Sequence, residues 1–242
     1  MTTYSAQFIH DLANWQNGWR EDPTRKANLA SKLLSHRDSI PDVARAVPEH
    51  CFRAMLLDKS VIGTLFFNGQ LTEIVSSWTT DRSFAESFKD YLPDGKIGFI
   101  FRHPPEESEV FLNIPAMWED QNFQNDLATH KNDGEDFHPA LEYFRDENDQ
   151  KEVILEVTSL NFSDIAGLSG RSSFEGICTL ANITNEEEKE TLFKACIDQG
   201  HFPDDSVCWL TEEGVWMVID RVIDHLEAVI SGTKPSITGL KK

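Results

Sequence analysis

Three short stretches of the chain combine residue types that can do chemistry. In Cys51-Phe52-Arg53-Ala54-Met55 an arginine alternates with apolar neighbours, and its planar, permanently charged guanidinium suits an anionic group. In Ser76-Ser77-Trp78-Thr79-Thr80 the period of two along a strand puts Ser77 and Thr79 on one face and Trp78 on the other. Two hydroxyls can then face a cleft while the indole anchors the core. In Gln150-Lys151-Glu152, running into Val153-Ile154-Leu155, the same period puts Gln150 and Glu152 on one face. A carboxylate beside an apolar run needs a partner if it is buried. Each stretch alone also has a plainer reading: an edge-strand arginine paired with one of many carboxylates, a half-buried strand, and an exposed glutamate at a strand start.

The elements that must position these residues follow from periodicity and turn signals. Residues 4–46 read as helical, with Phe8, Ile9, Leu12 and Trp15, then Leu29, Leu33 and Leu34, at helical spacing before Pro41. Residues 51–57 and 73–80 read as strands with the turn signal Asn68-Gly69 between them. Thr80 or Asp81 can cap a short helix with Phe84, Phe88 and Tyr91 on one face, closed by Pro93-Asp94-Gly95. Residues 96–102, 109–114 and 151–157 read as further strands. Between them, 115–149 is weakly patterned and acidic, so Gln150 and Glu152 are expected where a mobile acidic loop enters a strand. A Gly/Ser-rich loop is expected around Gly167–Ser173. Thr184-x-x-Glu187 forms a capping box opening a helix to about Ile197, 206–210 reads as a strand, and 214–230 as a long amphipathic helix ended by Gly232. The class is mixed α and β, with strands too closely spaced for regular βαβ alternation.

Composition narrows the function classes. With 242 residues, 40% of them hydrophobic, the chain can bury a sizeable core in one domain or one domain plus an appendage. Twenty-two Lys and Arg against 41 Asp and Glu give a net charge of −19. That balance argues against tight non-specific binding to nucleic acid or to an anionic membrane, and leaves RNA only a local basic patch. Cys51, Cys178, Cys196 and Cys208 lie far apart with no C-x-x-C pair, and no basic-then-apolar leader opens the sequence. No apolar run reaches the roughly 18–20 residues of a membrane-spanning helix. The expectation is a soluble chain with free thiols in a reducing cytoplasm, a pattern also compatible with delivery into another cell by phage or specialised secretion. Neither of the common glycine-rich phosphate loops is present. Gly167-Leu-Ser169-Gly170-Arg171 lacks the final glycine of a nucleophile elbow. His130-Lys-Asn-Asp133-Gly-Glu-Asp136-Phe-His138 matches no EF-hand or zinc spacing and reads as a solvated acidic loop, so no metal is expected.

Taken together and in this order, the three stretches resemble the R-S-E class of mono-ADP-ribosyltransferases over residues 47–160, about half the chain. That family has an aromatic-Arg strand, a Ser-x-Ser/Thr strand followed by a helix with an Ala-x-x-Phe signature, and a Gln/Glu-x-Glu strand. The matching residues are Phe52-Arg53, Ser77-Trp78-Thr79 with Ala85-Glu-Ser-Phe88, and Gln150-Lys-Glu152. Ala54 stands where many members have glycine, and the central motif reads S-W-T, but the functional groups are kept. The resemblance implies an α+β fold: a split β-sandwich of two packed sheets, with N-terminal helices over 1–46 inside a catalytic core spanning 1–170 and a helical extension over 171–242 that packs on the core or binds a partner. It implies transfer of ADP-ribose from NAD to a macromolecular acceptor, most simply a protein. Glu152 would stabilise the developing cation, Ser77 would hold Glu152, and Arg53 with Ser77 and Thr79 would bind NAD, the arginine on its pyrophosphate. Gln150 would face the acceptor, leaning away from arginine as the modified residue. The segment 143–149 would be the substrate-recognition loop, with Tyr143 or Phe144 as an aromatic contact. Two alternatives stand beside this reading: an NAD glycohydrolase on the same fold, and a catalytically inactive interaction module.

Overall fold

Side-chain caps set where the helices begin. The computed structural model describes residues 3–18, 22–87, 96–132, 138–146, 150–169, 178–179, 181–199 and 209–231. Ser5 Oγ accepts from the Phe8 N–H and opens helix α1 (Ala6–Gln16). Asp22 accepts from the Thr24 and Arg25 N–H groups and opens α2 (Pro23–Leu34), whose first residue is the proline favoured at that position. After strand β1 (Cys51–Asp58), Asp58 caps α3 (Lys59–Asn68) through the Ser60 and Val61 N–H groups. The short strands β2 (Gln70–Thr72) and β3 (Val75–Thr79) follow. Asp81 then caps α4 (Arg82–Ser87) by accepting from the Ser83 and Phe84 N–H groups. Strands β4 (Lys96–His103) and β5 (Val110–Asn113) precede three helices, α5 (Ile114–Glu119), α6 (Gln121–Asn132) and α7 (His138–Asp146). Strands β6 (Glu152–Glu156), β7 (Ser159–Asn161) and β8 (Ile165–Ser169) and helices α8 (Glu186–Asp198) and α9 (Glu212–Ser231) follow.

The class is α+β. One sheet has the strand order β5-β6-β3-β1-β4-β8, and β2 pairs with β7 in a separate two-stranded ladder. The chain divides into two compact units. The first comprises Met1–Phe52, Glu73–Phe84 and His103–Thr158, the second Arg53–Thr72, Ala85–Arg102 and Ser159–Lys242.

In the first unit, α1 packs against α2, α6 and α7, and β6 lies between β5 and β3. Its core joins Phe8, Ile9, Leu12 and Trp15 of α1 to Leu29 and Leu33 of α2, Leu141 of α7, and Val75, Leu112 and Ile154 of the strands. Two carboxylates fix α1 at its start. Asp126 accepts from the Thr3 and Tyr4 N–H groups at 2.7 Å each, and the Tyr4 hydroxyl donates to Asp120. Burial and these carboxylates push the Tyr4 hydroxyl's pKa up. Midway along α1, buried Asp11 meets His36 Nε2 at 3.0 Å and accepts from Gln7. Burial acts to raise the Asp11 pKa, but the hydrogen bonds with His36 and Gln7 outweigh it and hold the carboxyl below its usual range.

In the second unit, α3 presents Phe66 to a core of Cys178, Ala181, Ile183, Leu192, Cys196 and Val222. Phe162 stacks edge-on between Phe66 and Trp216. The Leu210 N–H donates to the Leu168 carbonyl, and Arg102 pairs with Glu212. The described part of 171–242 thus shares its packing with 53–72 and 159–169. Burial pushes the Cys196 thiol up to about 11; Cys178 is likewise buried.

Several expectations need correction. Residues 59–68 form a helix, so Asn68-Gly69 is no hairpin turn: Gly69, at φ +74°, ends α3. The apolar run Val61-Ile62 and Leu65-Phe66-Phe67 has no strong periodicity of either kind, and the Asp58 cap decides for helix. The weakly patterned stretch 115–149 carries α5, α6 and α7. The inward faces of α6 and α7 are narrow enough to hide in an acidic sequence; α7 offers the core only Leu141 and Ala140. Gly167-Leu168-Ser169 lies in β8 and not in a loop. Gly167 sits opposite Ile100, where an added Cβ would come within 3.1 Å of the isoleucine side chain. That strand setting is not the strand-to-helix turn of a nucleophile elbow. The cap of α8 is Asn185, which accepts from the Glu187 N–H, and not Thr184. Residues 88–95, 206–208 and 232, named above as parts of a helix, a strand and a stop, lie outside the described residues.

Two glycines, one inside α3 and one at its C-terminal end, give opposite expectations. Gly69 needs its left-handed backbone, so Gly69→Ala should cost about 1 kcal/mol in urea unfolding. Gly63 lies in the helix interior with nothing within 4 Å of an added Cβ, so Gly63→Ala should stabilise by roughly 0.5–1 kcal/mol. Equal signs for the two would contradict the helix.

Candidate active site

The register of β3 against β6 brings three of the expected residues together. The strands run antiparallel with Thr79 opposite Glu152 and Ser77 opposite Ile154, so Ser77, Thr79 and Glu152 share one face and Ser77 is the diagonal neighbour of Glu152. Trp78, opposite Val153, turns the other way and donates to Ser76 Oγ. Phe52 pairs with Thr79 on the next strand. Val153, Ile154 and Leu155 are fully buried and fix β6 behind its first residue.

That first residue is Glu152, whose surface is 5% exposed. Ser77 Oγ donates to its Oε1 at 2.5 Å. The Trp15 indole N–H, from the last turn of α1, lies 3.0 Å from both Ser77 Oγ and Glu152 Oε1, closing a three-membered ring of hydrogen bonds. Gln16 Nε2 donates to Oε2 at 3.3 Å. Desolvation raises the pKa of Glu152, the hydrogen bonds from Ser77, Trp15 and Gln16 act against it, and the net direction is upward. The arrangement is a buried carboxyl on one strand whose ionised form is held by three donors, one from the neighbouring strand and two from a helix. Chemically it can accept a hydrogen bond from a hydroxyl or stabilise an adjacent cation where water is scarce.

The backbone just before Glu152 departs from the expected geometry. Lys151 has φ +44°, uncommon for a residue with a side chain. The alternation that placed Gln150 with Glu152 therefore does not run back through Lys151, and Gln150 is half-buried outside the strand. Lys151 is held by its ammonium on Asp81 at 2.9 Å and its carbonyl, which accepts from the Thr80 N–H. The Lys151 hydrogen bond, with those of the α4 cap, lowers the Asp81 pKa. Thr79 Oγ1 accepts from the Asp81 N–H, so this hydroxyl is engaged in the same turn.

The other expected residues lie on other elements. Arg53 lies on β1, half-buried, within the second unit. Tyr143 and Phe144 are in α7 and not in a loop: their rings meet edge-on at 5.2 Å, and Tyr143 is 46% exposed. The remainder of the expected recognition loop, 147–149, lies outside the described residues. Of the acidic stretch once weighed for metal, His130 is in α6 beside the Tyr4 carbonyl and His138 starts α7. Among the described residues no three His, Cys, Asp or Glu side chains gather as a metal group.

Sequence reasoning missed Trp15 and Gln16. Trp15 read only as a core residue, and nothing in a linear sequence links it to a glutamate 137 positions away. The one available signal is that a buried indole needs an acceptor for its N–H. Comparison with family models, with curated proteins and with solved structures gives no match to this chain.

The raised pKa has a signed consequence. The folded protein holds the Glu152 proton more tightly than the unfolded chain, so this group favours folding in acid, and that contribution is lost as pH rises from about 4.5 through the folded value. Glu152→Gln should therefore gain stability relative to wild type between acid and neutral pH in urea unfolding. A gap independent of pH would contradict the buried carboxyl.

Proposed function

We propose that this chain is a mono-ADP-ribosyltransferase that moves ADP-ribose from NAD to a macromolecular acceptor, most simply a protein, and releases nicotinamide. The observation that carries the reading is the hydrogen bond from Ser77 to buried Glu152 across the β3–β6 pair. The resemblance asks for this contact, a serine that fixes the acid, between residues 75 positions apart. Arg53, Ser77 and Thr79 are proposed to bind NAD, Gln150 to face the acceptor, and Tyr143 and Phe144, now on a helix, to contact the target. The split β-sandwich belongs to the same proposal. No described helix is long and apolar enough to cross a membrane.

In the proposed reaction the bond between nicotinamide nitrogen and the anomeric carbon breaks, and its electron pair leaves with nicotinamide. The acceptor's lone pair forms the new bond to that carbon, and the acceptor's proton passes to solvent. The ribose becomes cation-like in between, and an ionised Glu152 stabilises that charge more strongly than the neutral ground state. Three donors to the carboxylate keep the ionised form accessible despite burial. The permanent charge of Arg53 suits the pyrophosphate of an anionic substrate approaching a protein of charge −19.

Labelled NAD, the purified chain and a cell lysate test this, with Glu152→Ala and Arg53→Ala beside wild type. Labelled bands are expected with wild type only, and Glu152→Ala should lower nicotinamide release by about 100-fold or more, in line with removal of a charge-stabilising group. Nicotinamide release without bands would instead mark a glycohydrolase. No NAD turnover by any form in several lysates would leave the interaction module.

A further inference from the structure

The acceptor atoms around Glu152 are unevenly used. A carboxylate offers about four lone-pair sites, roughly two on each oxygen. Oε1 already takes two donors, Ser77 Oγ and the Trp15 N–H. Oε2 takes one, the longer 3.3 Å bond from Gln16 Nε2, which leaves it one site. The carboxamide of Gln16 is also half used: its Oε1 is buried and has no hydrogen-bond partner among the described residues. Turning the amide over would set Oε1 against the carboxylate, so the orientation is fixed by charge.

The corner therefore offers two acceptors: a site on Glu152 Oε2, and both lone pairs of Gln16 Oε1, joined to the touching Nε2 through a single carbon. The Ser77 hydroxyl, the Trp15 N–H and one of the two N–H groups of Gln16 Nε2 are directed at Glu152. A ligand that satisfies this corner must bring two neighbouring donors, and it must bring them uncharged or cationic, since an anion would meet Glu152. A vicinal diol does this, one hydroxyl donating to Glu152 Oε2 and the next to Gln16 Oε1. Leaving a buried amide oxygen unpaired is unfavourable, so a ligand lacking the second hydroxyl is discriminated against.

We infer that Gln16 is a specificity-determining residue that reads the second hydroxyl of a ribose whose first hydroxyl rests on Glu152. The inference rests on the transferase reading above and deepens it: the sugar is recognised as a diol, by a helix-borne amide 136 positions from the acid in sequence. It also gives a reason for the last turn of α1 to end where it does, with Trp15 anchoring one carboxylate oxygen and Gln16 flanking the other.

The test is calorimetric titration of the full chain with NAD and with two NAD analogues, lacking either the 2′- or the 3′-hydroxyl of the nicotinamide ribose. Wild type, Gln16→Met and Gln16→Ala are compared, with circular dichroism confirming the fold of each variant. Wild type should bind each analogue about tenfold more weakly than NAD, the size of one lost hydrogen bond. Each Gln16 variant should bind NAD about tenfold more weakly than wild type does, and should no longer distinguish NAD from one of the two analogues. The penalty for the other analogue, set by Glu152, should remain. Retention of both penalties in both variants overturns the role of Gln16 while leaving the NAD reading intact. Wild type that binds NAD and both analogues equally has the same meaning. Wild type that does not bind NAD overturns the transferase reading itself, and the diol inference with it.

Discussion

A carboxyl group withdrawn from water must be met by donors, and in the first unit of this protein the placement of Glu152 follows from that need. Desolvating an ion is unfavourable by several kcal/mol, so the donors have to be held in position by the fold itself. Ser77 is held because β3 is hydrogen-bonded to β6 along five consecutive residue pairs. Trp15 and Gln16 are held because α1 is fixed along its whole length. Asp126 and Asp120 secure its start at Thr3 and Tyr4, Asp11 ties its middle to His36, and Phe8, Ile9, Leu12 and Trp15 fill the core beneath it. Three hydrogen bonds to one carboxyl group thus depend on a helix, a strand pair and the packing between them.

The strained backbone at Lys151 belongs to the same arrangement. A left-handed residue immediately before Glu152 ends the strand there, and the ion pair with Asp81 together with the Thr80–Lys151 hydrogen bond offsets the unfavourable φ. Asp81 also caps α4, and its backbone N–H engages Thr79. One turn therefore couples the end of β3, the start of α4 and the entry to β6, all within reach of the shared face of Ser77, Thr79 and Glu152.

How much of this was legible in the sequence depended on the range of the interaction. Period-two alternation in Ser77-Trp78-Thr79 and the apolar run after Glu152 specify two strands and their faces, and the structure pairs them. Local caps such as Asp81 and the helical spacing in α1 were readable for the same reason: the determinants lie within a few residues. Alternation failed at Gln150, because a positive φ on a lysine carries no sequence signature. It failed for α3, where β-branched and aromatic residues sit in a helix begun by Asp58 and ended by Gly69. Helices α6 and α7 were hidden by polarity, since each shows the core only a narrow stripe, and α5 by its length of six residues. Trp15 and Gln16 could not be assigned to Glu152, because only tertiary packing brings α1 to β6.

Glu152 is a buried, donor-held carboxyl, and in the proposed function it is the group at which NAD engages. Carbon-13 NMR of glutamate-labelled protein, with the Glu152 side-chain signal assigned by its absence in Glu152→Gln, observes that group alone. This carboxyl should titrate above about 4.5, and its shift and titration should move when NAD is added. A Glu152 that titrates in the ordinary range and is indifferent to NAD would contradict it.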